Sequence, residues 1–210
     1  MKIREMSIQT ISGFKDQKRF NSSAWCIAEM YWYNLKSYKK SPYAKVVLIL
    51  GVNRLTEKFS NVYIAYKEFD FDKYFSMSEI EKKKVLLNLM HLEMYLIFKE
   101  ERLDCAILEN AYNNCINRKL ENKWLLKDKY FISKNRKYKG GIECLWGMSS
   151  FSASAVIFDL DNNESLREIL VQTEPYLGDF IYWSKCGWRE NKFYLEESKS
   201  GRYWEVIIDE

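Results

Sequence analysis

Two prolines, eight glycines and one histidine in 210 residues leave several classes of chemistry without their material. Neither GxGxxG nor GxxxxGK[ST] occurs. Gly51 and Gly187 stand alone, and Gly140-Gly141 sits in a basic turn, so nucleotide enzymes built on those phosphate cradles are excluded. The five cysteines, Cys26, Cys105, Cys115, Cys144 and Cys186, are odd in number, widely spaced and form no CxxC pair. With a single histidine beside them no zinc site of usual spacing can be assembled, and buried free thiols in a reducing compartment are expected. No metal and no cofactor is expected. No apolar run reaches the roughly 18 residues of a membrane span, and the opening MKIREMSIQTI lacks the apolar core of a signal peptide. These absences predict a cytoplasmic protein with no membrane partner.

What is present is aromatic. Phe, Tyr and Trp make up 16% of the chain, which with so little Gly and Pro favours strands and a packed core over disorder. A net charge of +4, from 33 basic and 29 acidic residues, neither demands nor excludes nucleic acid. The length suits one domain able to bury roughly 70% of its unfolded surface. The expectation is a single α+β domain over residues 1–210; the alternative is two subdomains, 1–125 and 126–210.

The most informative stretch is Ser78–Glu100. Ser78 and Glu81 have the spacing of a capping box, and no Gly or Pro interrupts the run from there to Glu100. At 3.6 residues per turn two apolar strips appear. One holds Ile80, Leu87, Met90, Met94, Ile97 and Phe98, the other Val85, Leu89, Leu92 and Leu96. Polar seams separate them, with Glu81, Lys84, Asn88 and His91 on one side and Lys82, Glu93 and Glu100 on the other. Two strips predict contacts on two sides, hence a helix forming a middle layer. A second helix is predicted from Asp104 to Arg118, with Ile107, Leu108, Ala111, Cys115 and Ile116 on one face, and the short link makes the pair an antiparallel hairpin. Before the hairpin, strands are expected at 2–11, 45–52 and 61–69. The aromatics of 24–33 lean that segment to strand, which makes the first third an antiparallel meander. The continuously apolar 45–52 should be covered on both faces. After the hairpin, strands are expected at 129–133, 141–148, 151–160, 166–173, 179–184, 192–196 and 204–208. The predicted architecture is antiparallel β-sheets flanking a central helical hairpin.

Catalytic material is thin. His91 is the single histidine available as a general base, and no GxSxG or papain-like cysteine context accompanies it. Asp159–Glu164 begins like a calcium loop but has Glu164 where the loop's glycine belongs and Leu170 where its bidentate carboxylate belongs, so a hairpin turn is expected. Glu121-Asn122-Lys123 and Glu197-Ser198-Lys199 fit the Glu-x-Lys triplet of Mg²⁺-dependent nucleases, one near a helix end and one in a turn. Basic clusters lie at Lys36–Lys40, Lys82–Lys84 and Lys134–Lys139, the last beside Tyr130, Phe131 and Tyr138. Cations beside stacking aromatics suit single-stranded nucleic acid, so a nucleic-acid-binding protein or metal-dependent nuclease using Lys134–Lys139 is the alternative function.

The aromatic surplus points elsewhere. Phe180, Tyr182, Trp183, Trp188, Phe193, Tyr194, Tyr203 and Trp204 crowd the C-terminal strands, and alternation cannot turn all of them inward. Two readings fit: a sheet buried on both faces by the helices, or an exposed aromatic face for protein recognition, where Trp, Tyr and Arg dominate and Trp146, Trp183 and Trp188 are the candidate anchors. The run FDFDKYFSMSEIEKKKVLLNLMHLEMYLIFKEE, a second helix, and KYFISKNRKYKGGIECLW together resemble small bacterial proteins that act as immunity partners of secreted polymorphic toxins. The resemblance covers about the middle third of the chain. It implies a cytoplasmic, non-enzymatic antidote that binds a cognate toxin domain and occludes its active site. Antidotes of nucleases are often acidic, so this chain's positive charge implies a toxin other than a basic nuclease.

Overall fold

The structure, a computed structural model, describes residues 1–35 and 38–208; Lys36 and Ser37 of the basic run Lys36–Lys40, with the last two residues, lie outside the described residues. The chain divides into two compact units, Met1–Asn122 and Lys123–Glu210. Helices and sheets both build it, as the α+β class requires.

The first unit runs β1 (Glu5–Thr10), α1 (Gln17–Leu35), β2 (Lys45–Leu50), β3 (Glu57–Phe59), β4 (Val62–Lys67), α2 (Phe71–Ser76), α3 (Glu79–Glu100) and α4 (Ala106–Asn117). Sheet order is β1-β2-β4-β3, parallel throughout except for β3 against β4. This corrects the antiparallel meander, and with it the expectation that antiparallel sheets flank the helical hairpin. The cause lies in residues 24–33, which belong to α1 and not to a strand. Phe20, Ala24, Ile27, Ala28, Tyr31 and Leu35 are buried at helical spacing over 19 residues. That period outweighs the aromatic preference for strands. A helix between β1 and β2 returns the chain to the starting edge, so the strands pair parallel. The row Met6, Ile8, Val46, Leu48, Tyr63 and Ala65 is buried on the helical side of the sheet. The opposite row is half-buried apart from buried Val47 and exposed Glu5, so β2 is less evenly covered than its apolar run predicts. Gly51, with φ of +92°, ends β2 where an added Cβ would lie 2.7 Å from the Phe71 ring; Phe71 packs in turn on Phe14, Phe20 and Phe69.

The capping box forms. The Ser78 hydroxyl accepts the Glu81 N–H at 3.4 Å, and Glu81 Oε2 accepts the Ser78 hydroxyl at 2.6 Å and the Ser78 N–H at 2.9 Å; these last two bonds, the hydroxyl's first, hold the Glu81 carboxyl below its usual range. Leu86, Leu87, Met90, Met94, Ile97 and Phe98 fill the core. The second strip does not: Leu92 is 53% and Leu96 45% exposed, with Val85 and Leu89 half-buried; of the first strip, Ile80 is exposed. α3 is therefore covered on one side and is not a middle layer, because α1, α4 and the sheet gather on the Met90 side and the seams beside it. Glu93, expected on a polar seam, is 1% exposed; it accepts the Tyr63 hydroxyl at 2.8 Å and pairs with Lys67 Nζ at 2.9 Å. The α3–α4 hairpin is antiparallel, since Tyr112 bonds Asn88 while Glu109 approaches His91. Of the α4 face, Leu108, Ala111 and Cys115 are buried and Ile116 is exposed.

The second unit contains β5 (Asn122–Leu125), β6 (Phe131–Ile132), β7 (Tyr138–Trp146), β8 (Phe151–Asp159), β9 (Glu164–Thr173), a 3-10 helix over Pro175–Trp183, β10 (Ser184–Arg189), β11 (Lys192–Glu197) and β12 (Tyr203–Ile207). One sheet has the order β5-β7-β8-β9 with β6 on β7, the other β10-β11-β12. Ile142, Cys144, Trp146, Phe151, Ala153, Ala155 and Ile157 from the first face Phe193, Leu195 and Val206 from the second in a buried interior. Gly140 permits this approach, since an added Cβ would lie 2.7 Å from Phe193 and 2.8 Å from Ile157. The strand expected at 179–184 is absent. Pro175 starts a 3-10 helix there, and the next strand begins at Ser184.

Candidate functional site

The outer face of the β10-β11-β12 sheet carries two tyrosines and an arginine among charged side chains. Alternation turns Cys186, Phe193, Leu195 and Val206 inward and leaves Lys185, Gly187, Arg189, Lys192, Tyr194, Glu196, Tyr203 and Glu205 on the other side. Register sets Gly187 opposite Tyr194, and Tyr194 opposite Glu205. The Tyr194 and Tyr203 rings stack at 5.7 Å, and the Arg189 guanidinium lies 4.3 Å from the first and 5.2 Å from the second. Arg189 also bonds Glu196 at 2.9 Å, and Lys192 bonds Glu205 at 2.6 Å. Burial, with Glu205 beside it, pushes the Tyr203 hydroxyl pKa up, so the ring stays neutral. Trp183, 42% exposed, lies where β10 begins, its carbonyl accepting the Ser198 N–H at 3.0 Å and its ring covered by Lys199 Nζ at 3.4 Å. The face thus bears Tyr and Arg with charges of both signs, and Trp183 stands at the end of the 3-10 helix that leads into it.

The candidate anchors fare differently. Trp183 is at the surface. Trp146 is 1% exposed and packs on Phe151 and Trp124, so it belongs to the core and offers nothing to a partner. Trp188 faces inward: it is half-buried against Phe193 and donates Nε1–H to the Phe131 carbonyl at 2.7 Å. Tyr194, Tyr203 and Arg189 are not among the expected anchors. The alternation of apolar and polar residues along 185–189, 192–196 and 203–207 is the signal that finds them, and it appears once β10 starts at Ser184.

His91 lies where α1, α3 and α4 meet. Its Nδ1 is 2.9 Å from the Tyr31 hydroxyl, its Nε2 3.4 Å from Glu109, and its ring 4.7 Å from that of Tyr112. Burial pushes the Tyr31 hydroxyl pKa up, with Cys115 and Glu109 adding to it. One carboxylate and two phenols around an imidazole tie three helices together. The Glu-x-Lys triplets are spoken for: Lys123 pairs with Glu143 at 2.8 Å, and Glu197 binds Ser200 and Arg202 across a turn. Asp159–Glu164 is a hairpin turn, with Asp159 accepting the Asn163 N–H at 2.8 Å. Among the described residues no group of three His, Cys, Asp or Glu side chains gathers as metal ligands do, and no helix is long and apolar enough to cross a membrane.

Lys134, Arg136 and Lys137 are exposed on the β6–β7 hairpin, beside a depression of about 580 Å³ whose lining includes Glu190, while Lys139 lies over the Tyr130 and Phe158 rings. A groove of about 480 Å³ separates β1 from α1, and α1 shields that sheet edge at both ends, through Asn21 on the Thr10 N–H and Trp32 Nε1–H on the Ile3 carbonyl. No family model, curated protein or solved structure matches the chain.

Proposed function

We propose that this chain is a protein-binding module, an antidote of the immunity-protein kind that neutralises a cognate toxin domain by docking over it and occluding its active site. The observation that carries the reading is the outer face of β10-β11-β12, where Arg189, Tyr194 and Tyr203 cluster, with exposed Trp183 at the end of the 3-10 helix that leads into β10. Such residues supply most of the energy at protein interfaces, because large rings bury area at small entropic cost and Arg adds planar hydrogen bonding. The charges on the face nearly balance, with Lys185, Arg189 and Lys192 against Glu196 and Glu205, which suits a mixed protein surface. A standard interface of ~1,600 Å² requires such a face plus a polar rim.

The test is calorimetric titration against the product of the gene upstream of this one. A one-to-one complex and protection of cells from that product are expected, and Tyr203→Ala with Arg189→Ala should weaken binding by about 100-fold, a loss of ~3 kcal/mol. Absence of binding and of protection overturns the proposal, as does a double variant that binds as well as the parent.

A further inference from the structure

The second strip of α3 is only partly covered within its own fold, with Val85 and Leu89 half-buried and Leu92 and Leu96 exposed. Val85, Leu89, Leu92 and Leu96 succeed one another at intervals of four, three and four residues, the spacing of a coiled-coil seam. They lie across the helix from buried Met90 and Met94, and Leu92 and Leu96 are about half exposed. Such a strip on a well-capped helix of 22 residues fits another helix.

We infer that the occupant is a second copy of this chain, with the two α3 helices packed antiparallel about a two-fold axis. The charges beside the strip carry the choice. An antiparallel two-fold pair sets each flank against the same flank of its mate with the ends reversed. On one flank Lys82 stands near the start of α3 and Glu100 at its end; on the other Glu81 stands near the start and Lys99 near the end. Reversal therefore sets Lys82 against Glu100 of the second copy and Glu81 against its Lys99. Each contact occurs twice, giving four opposite-charge contacts among the α3 side chains. Between them Val85 meets Leu96 of the mate, and Leu89 meets Leu92. Glu100 already holds Lys58 and Glu81 closes the cap, so both carboxylates are fixed in place before the mate arrives. The contact spans three turns, ~16 Å. It falls short of the ~800 Å² per partner of a standard interface, so dissociation in the micromolar range is expected.

This interface belongs to the N-terminal unit and stands or falls apart from the toxin-docking face. Sedimentation equilibrium on the full chain, from about 1 to 200 µM, tests it. A monomer–dimer equilibrium is expected, with Leu92→Glu monomeric throughout that range while its circular dichroism and melting temperature match those of the parent at about 1 µM, where the parent too is mostly monomeric. Lys82→Glu places carboxylates opposite Glu100 at both ends and should weaken the dimer about fivefold, and adding Glu100→Lys should restore it. A parent that stays monomeric at the highest concentration overturns the inference, as does a Leu92→Glu variant that still dimerises. Failure of the double charge variant to recover overturns the antiparallel arrangement.

Discussion

Glu93 reaches 1% exposure on α3 with two partners, the Tyr63 hydroxyl and the Lys67 ammonium, both from the facing row of β4. A carboxylate withdrawn from water is tolerable while it is paired and hydrogen-bonded, and costly once a partner goes. The lysine side chain is 38% exposed, so water reaches the open side of the pair and the full penalty of a dry ion is not incurred. Lys67→Met should lower stability by about 1–3 kcal/mol, read as a fall in the urea midpoint at unchanged slope. Glu93→Gln keeps the Tyr63 bond without the charge and should cost less; the reverse order would show that the pair does not hold β4 to α3. The cysteines make a second case. Burial pushes the thiols of Cys26 and Cys115 up to about 12 and that of Cys186 up to about 11, against 9.0 ordinarily. Because the thiolate is the reacting form, a thiol reagent on the folded chain should modify half-buried Cys105 quickly and the four buried cysteines after unfolding. The raised values also fix a sign. Their stabilising effect is complete below pH 9, where thiols are protonated folded or unfolded, and is lost as pH climbs towards 11–12, so the melting temperature should fall across that window.

At the scale of elements, α3 and α1 show what a local pattern does and does not reveal. The cap, the length and the buried strip of α3 are legible because each rests on neighbours within a turn or two. What covers the second strip is set by where α1 and α4 come to rest, and no local spacing encodes that. Leu86 and Glu93 escaped for the same reason: their burial depends on the sheet at one flank. α1 was legible at 3.6-residue spacing from Phe20 to Leu35, yet residues 24–33 hold too few turns for the period to outweigh Trp25, Tyr31, Trp32 and Tyr33. From that one assignment the parallel sheet followed or was lost. The candidate site was half legible: the aromatic surplus is plain in composition, but whether Trp146, Trp183 or Trp188 faces out turns on strand parity and on the 3-10 helix at Pro175. The contrast within α3 is testable. Met90→Glu buries a lone charge and should abolish cooperative unfolding, whereas Leu92→Glu should stay within about 0.5 kcal/mol of the parent. Ser78→Ala removes one arm of the capping box and should cost about 1 kcal/mol.

At the scale of the molecule, charge separates the two functions that the sequence leaves open. The 33 basic and 29 acidic residues are interleaved, and the outer face of β10-β11-β12 mirrors that balance with Arg189–Glu196 and Lys192–Glu205 pairs already satisfied. A partner covering such pairs releases few counterions, so the affinity should fall less than about tenfold between 50 and 500 mM salt. A nucleic acid held by the β6–β7 hairpin would behave otherwise. Lys134, Arg136 and Lys137 offer up to three phosphate contacts, and each contact contributes a slope of about −0.7 to −0.9 in log affinity against log salt. A slope near −2 or steeper, abolished by Lys134→Ala with Lys137→Ala and indifferent to Tyr203→Ala, would assign binding to the hairpin and remove the sheet face from the function. A shallow slope that collapses with Tyr203→Ala and ignores the lysines would place recognition on the stacked tyrosines. Running both variants against both ligands at two salt concentrations makes either answer final, because the ring contacts and the ammonium contacts respond to salt in opposite measure.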